Sequence, residues 1–150
     1  MTTFQSKHFT LDEFTKSQIA AREGIDNTPT DFAIENLNLL CLKILDPLRE
    51  AIKKPVVVSS GYRNELLNKK AGGTNGSQHT QGEAADIYVP GMTARQLFDW
   101  ILRNTCLPID QIIDEFEAWV HVSYDKNKTK QRGNKFIAKK VGKKTQYIPV

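Results

Sequence analysis

Gln111-Ile-Ile-Asp-Glu-Phe-Glu-Ala-Trp-Val-His-Val-Ser-Tyr124 holds two runs rich in β-branched and aromatic residues around a short break. Such side chains favour extended backbone, and their closeness makes the runs, 111–116 and 119–124, the two strands of a hairpin. Side chains alternate along a strand, so Trp119, His121 and Ser123 share one face. The loop length sets what lies opposite them. A three-residue loop, 116–118, pairs Glu115 with Trp119 and turns Glu115 toward the side of His121. A two-residue loop, Glu117-Ala118, pairs Asp114 with His121 instead. The first register leaves Ile112, Phe116, Val120, Val122 and Tyr124 on the opposite, mostly apolar face, with Asp114 the exception, and is the preferred reading.

Outward from the hairpin, Ala84-Ala-Asp-Ile-Tyr-Val89 reads as a strand stopped by Pro90-Gly91, and Pro55-Val-Val-Val-Ser59 as another. Segments 135–140 and 146–148 are further strand candidates. The N-terminal half is helical. Thr10-Leu-Asp-Glu13 is a capping box opening a short helix to about Lys16. Residues 20–27 read as a loop. Thr28-Pro29 reads as an N-cap with proline at the first helical position. Ile34, Leu37, Cys41, Ile44 and Leu48 then recur at three- and four-residue spacing, the stripe of a long amphipathic helix, which Pro47 kinks near Ile44. Segment 64–70 predicts one or two helical turns, 71–76 a glycine-rich loop, and Thr93-Ala-Arg-Gln96 a second capping box with a helix to about Arg103. Helices come first and strands cluster later. The chain is therefore predicted to be one α+β domain, 1–150, with N-terminal helices packed on a mixed or antiparallel sheet.

With 150 residues, 39% hydrophobic and 25% charged, the chain is long enough for a real core and has an ordinary globular composition. Its apolar runs fall far short of the ~20 residues of a membrane span. The opening Met-Thr-Thr-Phe-Gln-Ser-Lys7 lacks the apolar core of a secretory signal, which predicts synthesis in the cytoplasm and outside help to leave it. Cys41 and Cys106 have no metal-site spacing and read as two buried thiols. Lysine and arginine number 21 against 17 acids, for a net charge of +4. The excess sits at the end, in Lys126, Lys128, Lys130, Arg132, Lys135, Lys139, Lys140, Lys143 and Lys144, with no acid among them. Such a run is solvated surface or an attractor of polyanions, nucleic acid or an anionic wall polymer. Its pattern predicts none of the aromatic interleaving that a single-strand groove requires.

Three residues stand out chemically. His79 sits among small and polar residues in Ser77-Gln-His-Thr-Gln-Gly-Glu-Ala-Ala-Asp86. Asp86 and His121 interrupt apolar strands, where a polar group needs a partner or a metal. Two histidines and a carboxylate are the ligand set of a catalytic zinc site, which keeps a fourth tetrahedral position free. Gly82, Ala84 and Ala85 are small enough to let the His79 loop fold close over the strand of Asp86. Zinc hydrolysis also needs a base, and the acids near His121 are Asp114, Glu115 and Glu117. Arg63, at a strand end in Ser-Gly-Tyr-Arg63, has the planar fork that suits a substrate carboxylate. Tyr62 reads as packing, and His8 has no partner pattern.

Ser60-Gly-Tyr-Arg63, Ser77-Gln-His79 with Gly82, Ala84 and Asp86, and Glu115-Phe with Trp119-Val-His121 together resemble the M15 peptidases. These are zinc D-Ala-D-Ala carboxypeptidases and L,D- or D,D-endopeptidases of peptidoglycan. The likeness extends to Phe9-Thr-Leu-Asp-Glu-Phe-Thr-Lys-Ser17, Gly24-Ile-Asp-Asn-Thr-Pro29 and the ending Gly142-Lys-Lys-Thr-Gln-Tyr147, and is nearest the small single-domain members of phage lysis enzymes. The resemblance implies the hedgehog/D-Ala-D-Ala peptidase fold and zinc held by His79, Asp86 and His121. It further implies Arg63 and Ser77 on the substrate and Glu115 as base, with Glu117 the fallback. An acid three residues before the last histidine, present in several members, is here Ala118. Peptidoglycan peptide stems are the implied partner of a monomer that reaches the wall by holin-type release, with no nucleic acid and no membrane. Two rival readings are a non-catalytic zinc-containing wall-binding module and a basic nucleic-acid binder resting on the C-terminal run alone.

Overall fold

The computed structural model of the protein describes residues 2–150. The helices are α1 (Leu11–Thr15), α2 (Gln18–Glu23), α3 (Asp31–Leu40), α4 (Asp46–Ile52), α5 (Glu65–Lys70) and α6 (Ala94–Asn104). The strands are β1 (Val57–Ser60), β2 (Ala84–Tyr88), β3 (Gln111–Glu115), β4 (Trp119–Ser123), β5 (Asn134–Val141) and β6 (Lys144–Pro149). They form one sheet in the order β1-β2-β4-β3-β5-β6. Every neighbouring pair is antiparallel except β3 with β5, so the sheet is mixed and the α+β expectation holds.

The predicted long helix exists, and Pro47 marks it as expected. A π-helical turn, Cys41–Leu45, joins α3 to α4. Proline has no N–H to give the carbonyl four residues back and its ring crowds that turn, so the backbone widens just before it. Two expectations are corrected. Within 20–27, read as a loop, the chain stays helical to Glu23. Ser17 caps α2 by accepting from the Ala20 amide at 3.2 Å, and Gly24 ends it in the left-handed region at φ 65°. The start of α3 lies beyond Thr28-Pro29. Asp26 takes both the amide and the hydroxyl of Thr28, at 3.0 and 2.6 Å, and Thr30 becomes the cap, accepting from the Ala33 amide at 3.1 Å. Both threonines are competent caps; competition from Asp26 decides between them.

One face of the sheet is the core. Ala85, Ile87, Ile112, Val120 and Val122 are buried against Leu37, Leu40, Ile44 and Leu48 of the long helix and Leu97, Phe98 and Ile101 of α6. Each large side chain buried there contributes about 1.5–3 kcal/mol before entropy is charged against it. Asp114 lies on this apolar face, fully buried, and is tolerated because Arg95 of α6 reaches it at 2.9 Å. Cys41 is buried, its thiol pushed up to about 12 by that burial. Cys106 is exposed, against expectation, because α6 has ended two residues earlier and the chain is crossing the surface to β3.

The β3–β4 hairpin takes the three-residue register: Glu115 pairs with Trp119, and Ile113 with His121. Phe116 and Glu117 both stand in the left-handed region, at φ 60° and 57°. That conformation costs a non-glycine residue about 1–2 kcal/mol. Two hydrogen bonds hold it: the Ala118 amide donates to the Glu115 carbonyl at 2.9 Å, and the Phe116 amide to the Ala138 carbonyl of β5 at 3.0 Å.

Glu83, just before β2, is 8% exposed, and burial together with the nearby Asp125 charge raises its carboxyl to about 7, opposed by Lys128. Because the folded value lies above the unfolded one, the neutral acid's contribution is complete below about pH 4.5 and is lost as pH rises through 7. Glu83→Gln is expected to leave stability unchanged near pH 4 and to raise it by about 2 kcal/mol at pH 8. Urea unfolding of both proteins at the two pH values measures this; an equal difference at both would contradict it.

Candidate metal centre

Each of the three singled-out side chains is aimed by its local chain. His79 lies in a tight 3-10 turn, Gln78–Gln81. Ser77 caps that turn by accepting the His79 amide at 3.2 Å, and the Thr80 hydroxyl donates back to the Ser77 carbonyl at 2.6 Å. Gly82 leaves the turn at φ 76°, where a Cβ would meet the Ala33 carbonyl oxygen at 2.5 Å. The small residue is thus needed for close approach to α3, rather than to β2 as the sequence suggested. Asn36 fastens the same contact by donating to the Gln81 carbonyl at 2.8 Å. Asp86 and His121 are direct partners across β2 and β4.

The ligand atoms converge. Asp86 Oδ1 lies 3.2 Å from His79 Nε2 and 3.2 Å from His121 Nδ1, and the donor atoms of the three residues lie within 4.8 Å of one another. His79 Nδ1 donates to the Gly61 carbonyl at 2.7 Å, which fixes the ring orientation and turns Nε2 toward Asp86. Burial alone would raise the Asp86 carboxyl, but the His79 charge and hydrogen bonds from both imidazoles hold it far below the usual carboxylate range. Two imidazole nitrogens and one ionised carboxylate at this spacing, with one imidazole already locked from behind, fit a zinc ion.

Glu115 is the acid that joins them. Its Oε1 lies 3.5 Å from His121 Nδ1. Burial raises its carboxyl to about 6, the Asp86 charge adding to the rise and His121 and Arg63 opposing it. The other two candidates do not join: Asp114 points into the core, and Glu117 is exposed on the turn. Arg63 lines the same cleft; its Nε is buried without a hydrogen-bond partner, and burial lowers its basicity against the pull of Asp86 and Glu115. Ser77 lines the cleft too, with its oxygen occupied by the His79 amide and its O–H free to donate. Tyr62 is buried packing, and His8 reaches Glu50 at the surface, 3.3 Å away.

The cleft measures about 930 Å³, a size for a small ligand or a peptide segment. Several of its residues have no assigned role in the sequence reading. Trp119 presents a buried indole N–H that makes no hydrogen bond. Phe136, Lys140, Thr145 and Tyr147 of β5 and β6 form a further wall. The basic run therefore does carry a cleft-facing aromatic, Phe136. Alternation along 134–141 places Phe136, Ala138 and Lys140 on one face, but only the pairing of β3 with β5 turns that face toward Glu115. Arg132 also lines the cleft. It holds the fully buried Asp110, with Nη2 2.7 Å from Oδ2, and Gln78 donates to the same oxygen at 3.1 Å. Burial works against the charge on Asp110, yet these bonds keep its carboxyl down at about 2. The end of the chain is thereby tied to the His79 turn.

Among the described residues, no helix is long and apolar enough to cross a membrane. No curated protein matches the chain. A family model described as Peptidase M15 matches residues 7–123, a span that contains Arg63, Ser77, His79, Asp86, Glu115 and His121 and stops before β5. The ending Gly142-Lys-Lys-Thr-Gln-Tyr147 thus lies outside the matched span. The histidine–aspartate–histidine cluster that could hold a metal lies inside the matched span, and over 7–123 this chain belongs to the M15 peptidase family.

Proposed function

We propose that the protein is a zinc-dependent peptidase that hydrolyses peptide stems or cross-links of bacterial peptidoglycan. The carrying observation is that His79, Asp86 and His121 converge in the same cleft as Glu115 and Arg63, in a chain of the M15 family. His79, Asp86 and His121 would hold the zinc, which when bound would supply Lewis-acid chemistry to the cleft. Glu115 takes a proton from the attacking water at Oε1 and delivers it to the leaving amine. Its burial, and its place beside His121, keep that carboxylate close to the reaction and poorly solvated. Arg63, with an unpaired buried Nε, receives a substrate carboxylate, and the Ser77 hydroxyl donates a further hydrogen bond. The basic C-terminal surface draws the enzyme to the polyanionic wall, which it reaches as a monomer after holin-type release during lysis.

Digestion of purified peptidoglycan with the zinc-loaded protein, followed by mass spectrometry of the fragments, tests this. New amine and carboxyl ends within the stems are expected, lost on chelation and restored by zinc. A protein carrying one zinc per chain that leaves all stems intact would sink the peptidase reading and leave a wall-binding module in its place.

A further inference from the structure

The cleft has more than one cationic wall. Arg63 stands on the segment following β1, and Lys140 stands on β5, on the other side of the strands that carry Asp86, His121 and Glu115. Arg132, the remaining cation of the lining, is neutralised by Asp110. Lys140 is exposed and hydrogen-bonds only the Thr145 hydroxyl, at 3.1 Å, and its ammonium lies 5.1 Å from the centre of the Phe116 ring. Among the described residues no acid stands within ion-pair distance of it.

Register explains why it faces the cleft. Ile113 pairs with Phe136 and Glu115 with Ala138, in parallel, while Ala138 pairs with Tyr147 and Lys140 with Thr145. Directly paired residues point to the same side, so the face that bears Glu115 continues into Phe136, Ala138, Lys140, Thr145 and Tyr147. Phe136 and Tyr147 meet edge to face, with ring centres 6.4 Å apart. The Tyr147 hydroxyl is raised first by burial and then by the charge of Glu115, so it stands within electrical reach of that acid. An aromatic pair and an ammonium without an acid partner thus line the same cleft as the acid of the metal centre. The pair and the ammonium lie wholly beyond the residues matched by the family, 7–123.

We propose that the β5–β6 hairpin is a specificity wall in which Lys140 binds a second carboxylate of the substrate, with Phe136 and Tyr147 supporting the adjoining apolar atoms. The substrate is accordingly a peptide with two carboxylates, one for Arg63 and an internal one for Lys140. This rests on the peptidase reading above and deepens it. No bond is made or broken by the wall.

The probe is a synthetic stem peptide containing a γ-glutamyl residue whose α-carboxyl is free, compared with the same peptide in which that carboxyl is amidated. Wild type is expected to favour the free acid by about fivefold in kcat/KM, the range of a partly exposed charge pair. Lys140→Gln is expected to bring the acid down to the level of the amide, and Lys140→Arg to retain the preference. Tyr147→Ala is expected to raise KM for both peptides alike. Calorimetric binding of both peptides to the zinc-loaded proteins is read in parallel. Equal handling of acid and amide by wild type, or an undiminished preference in Lys140→Gln, would overturn the wall. Cleavage of neither peptide, with acid still bound in preference through Lys140, would overturn the peptidase reading and keep the subsite.

Discussion

Glu115→Gln is expected to lower turnover of wall peptides by about 10²–10⁴-fold, the contribution of a positioned general base, with one zinc per chain still bound. Glutamine keeps the size and most of the hydrogen-bonding capacity of the acid, so the hairpin and its left-handed turn at Phe116 and Glu117 have no reason to change. What disappears is the ability to accept a proton 3.5 Å from His121. A steady-state kcat together with a zinc assay separates the two effects. Among the described residues lining the cleft, Asp86 and Glu115 are the acids, and Asp86 belongs to the metal cluster. Activity within a few fold of wild type would overturn the assignment of Glu115 as the base.

The second large effect concerns the metal. Asp86→Ala removes the carboxylate that sits 3.2 Å from both imidazoles. Residues behind a metal ligand typically alter affinity by about 10–100-fold, so loss of a ligand is expected to weaken zinc binding by more than about 100-fold. Competition against a chromophoric chelator measures the affinity. Thermal unfolding gives an independent readout. Zinc in excess is expected to raise the Tm of wild type, since a ligand that binds only the folded state stabilises it by mass action, and to leave Asp86→Ala unmoved. Acidification is expected to weaken zinc binding by wild type, because metal ligands must be deprotonated and protons compete for the imidazoles. An Asp86→Ala protein that binds zinc as tightly as wild type would place the metal elsewhere.

Much of this site was readable from local pattern. Period-two alternation places Trp119 and His121 on one face whatever the partner strand, and the apolar residues opposite them select the three-residue loop that turns Glu115 the same way. Polar residues inside Ala84-Ala-Asp-Ile and Trp-Val-His-Val were conspicuous because buried polarity needs a reason. Helix caps were less legible. Ser17, Thr28 and Thr30 are similar side chains, and which of them caps depends on neighbours such as Asp26 that compete for the same hydrogen bonds. Asp114 was an anomaly in the chosen register until α6 brought Arg95 to it across the core.

The sequence by itself determined the α+β class, the strand faces and the set of side chains able to hold a metal, since alternation and local burial preference act over a few residues. Only the tertiary structure decided that His79 is held by Gly61 and α3, and that a parallel pairing of β3 with β5 carries Phe136 and Lys140 into the cleft. Those contacts join segments far apart in the chain, and their partners are chosen by the packing of the whole sheet, which no local period encodes.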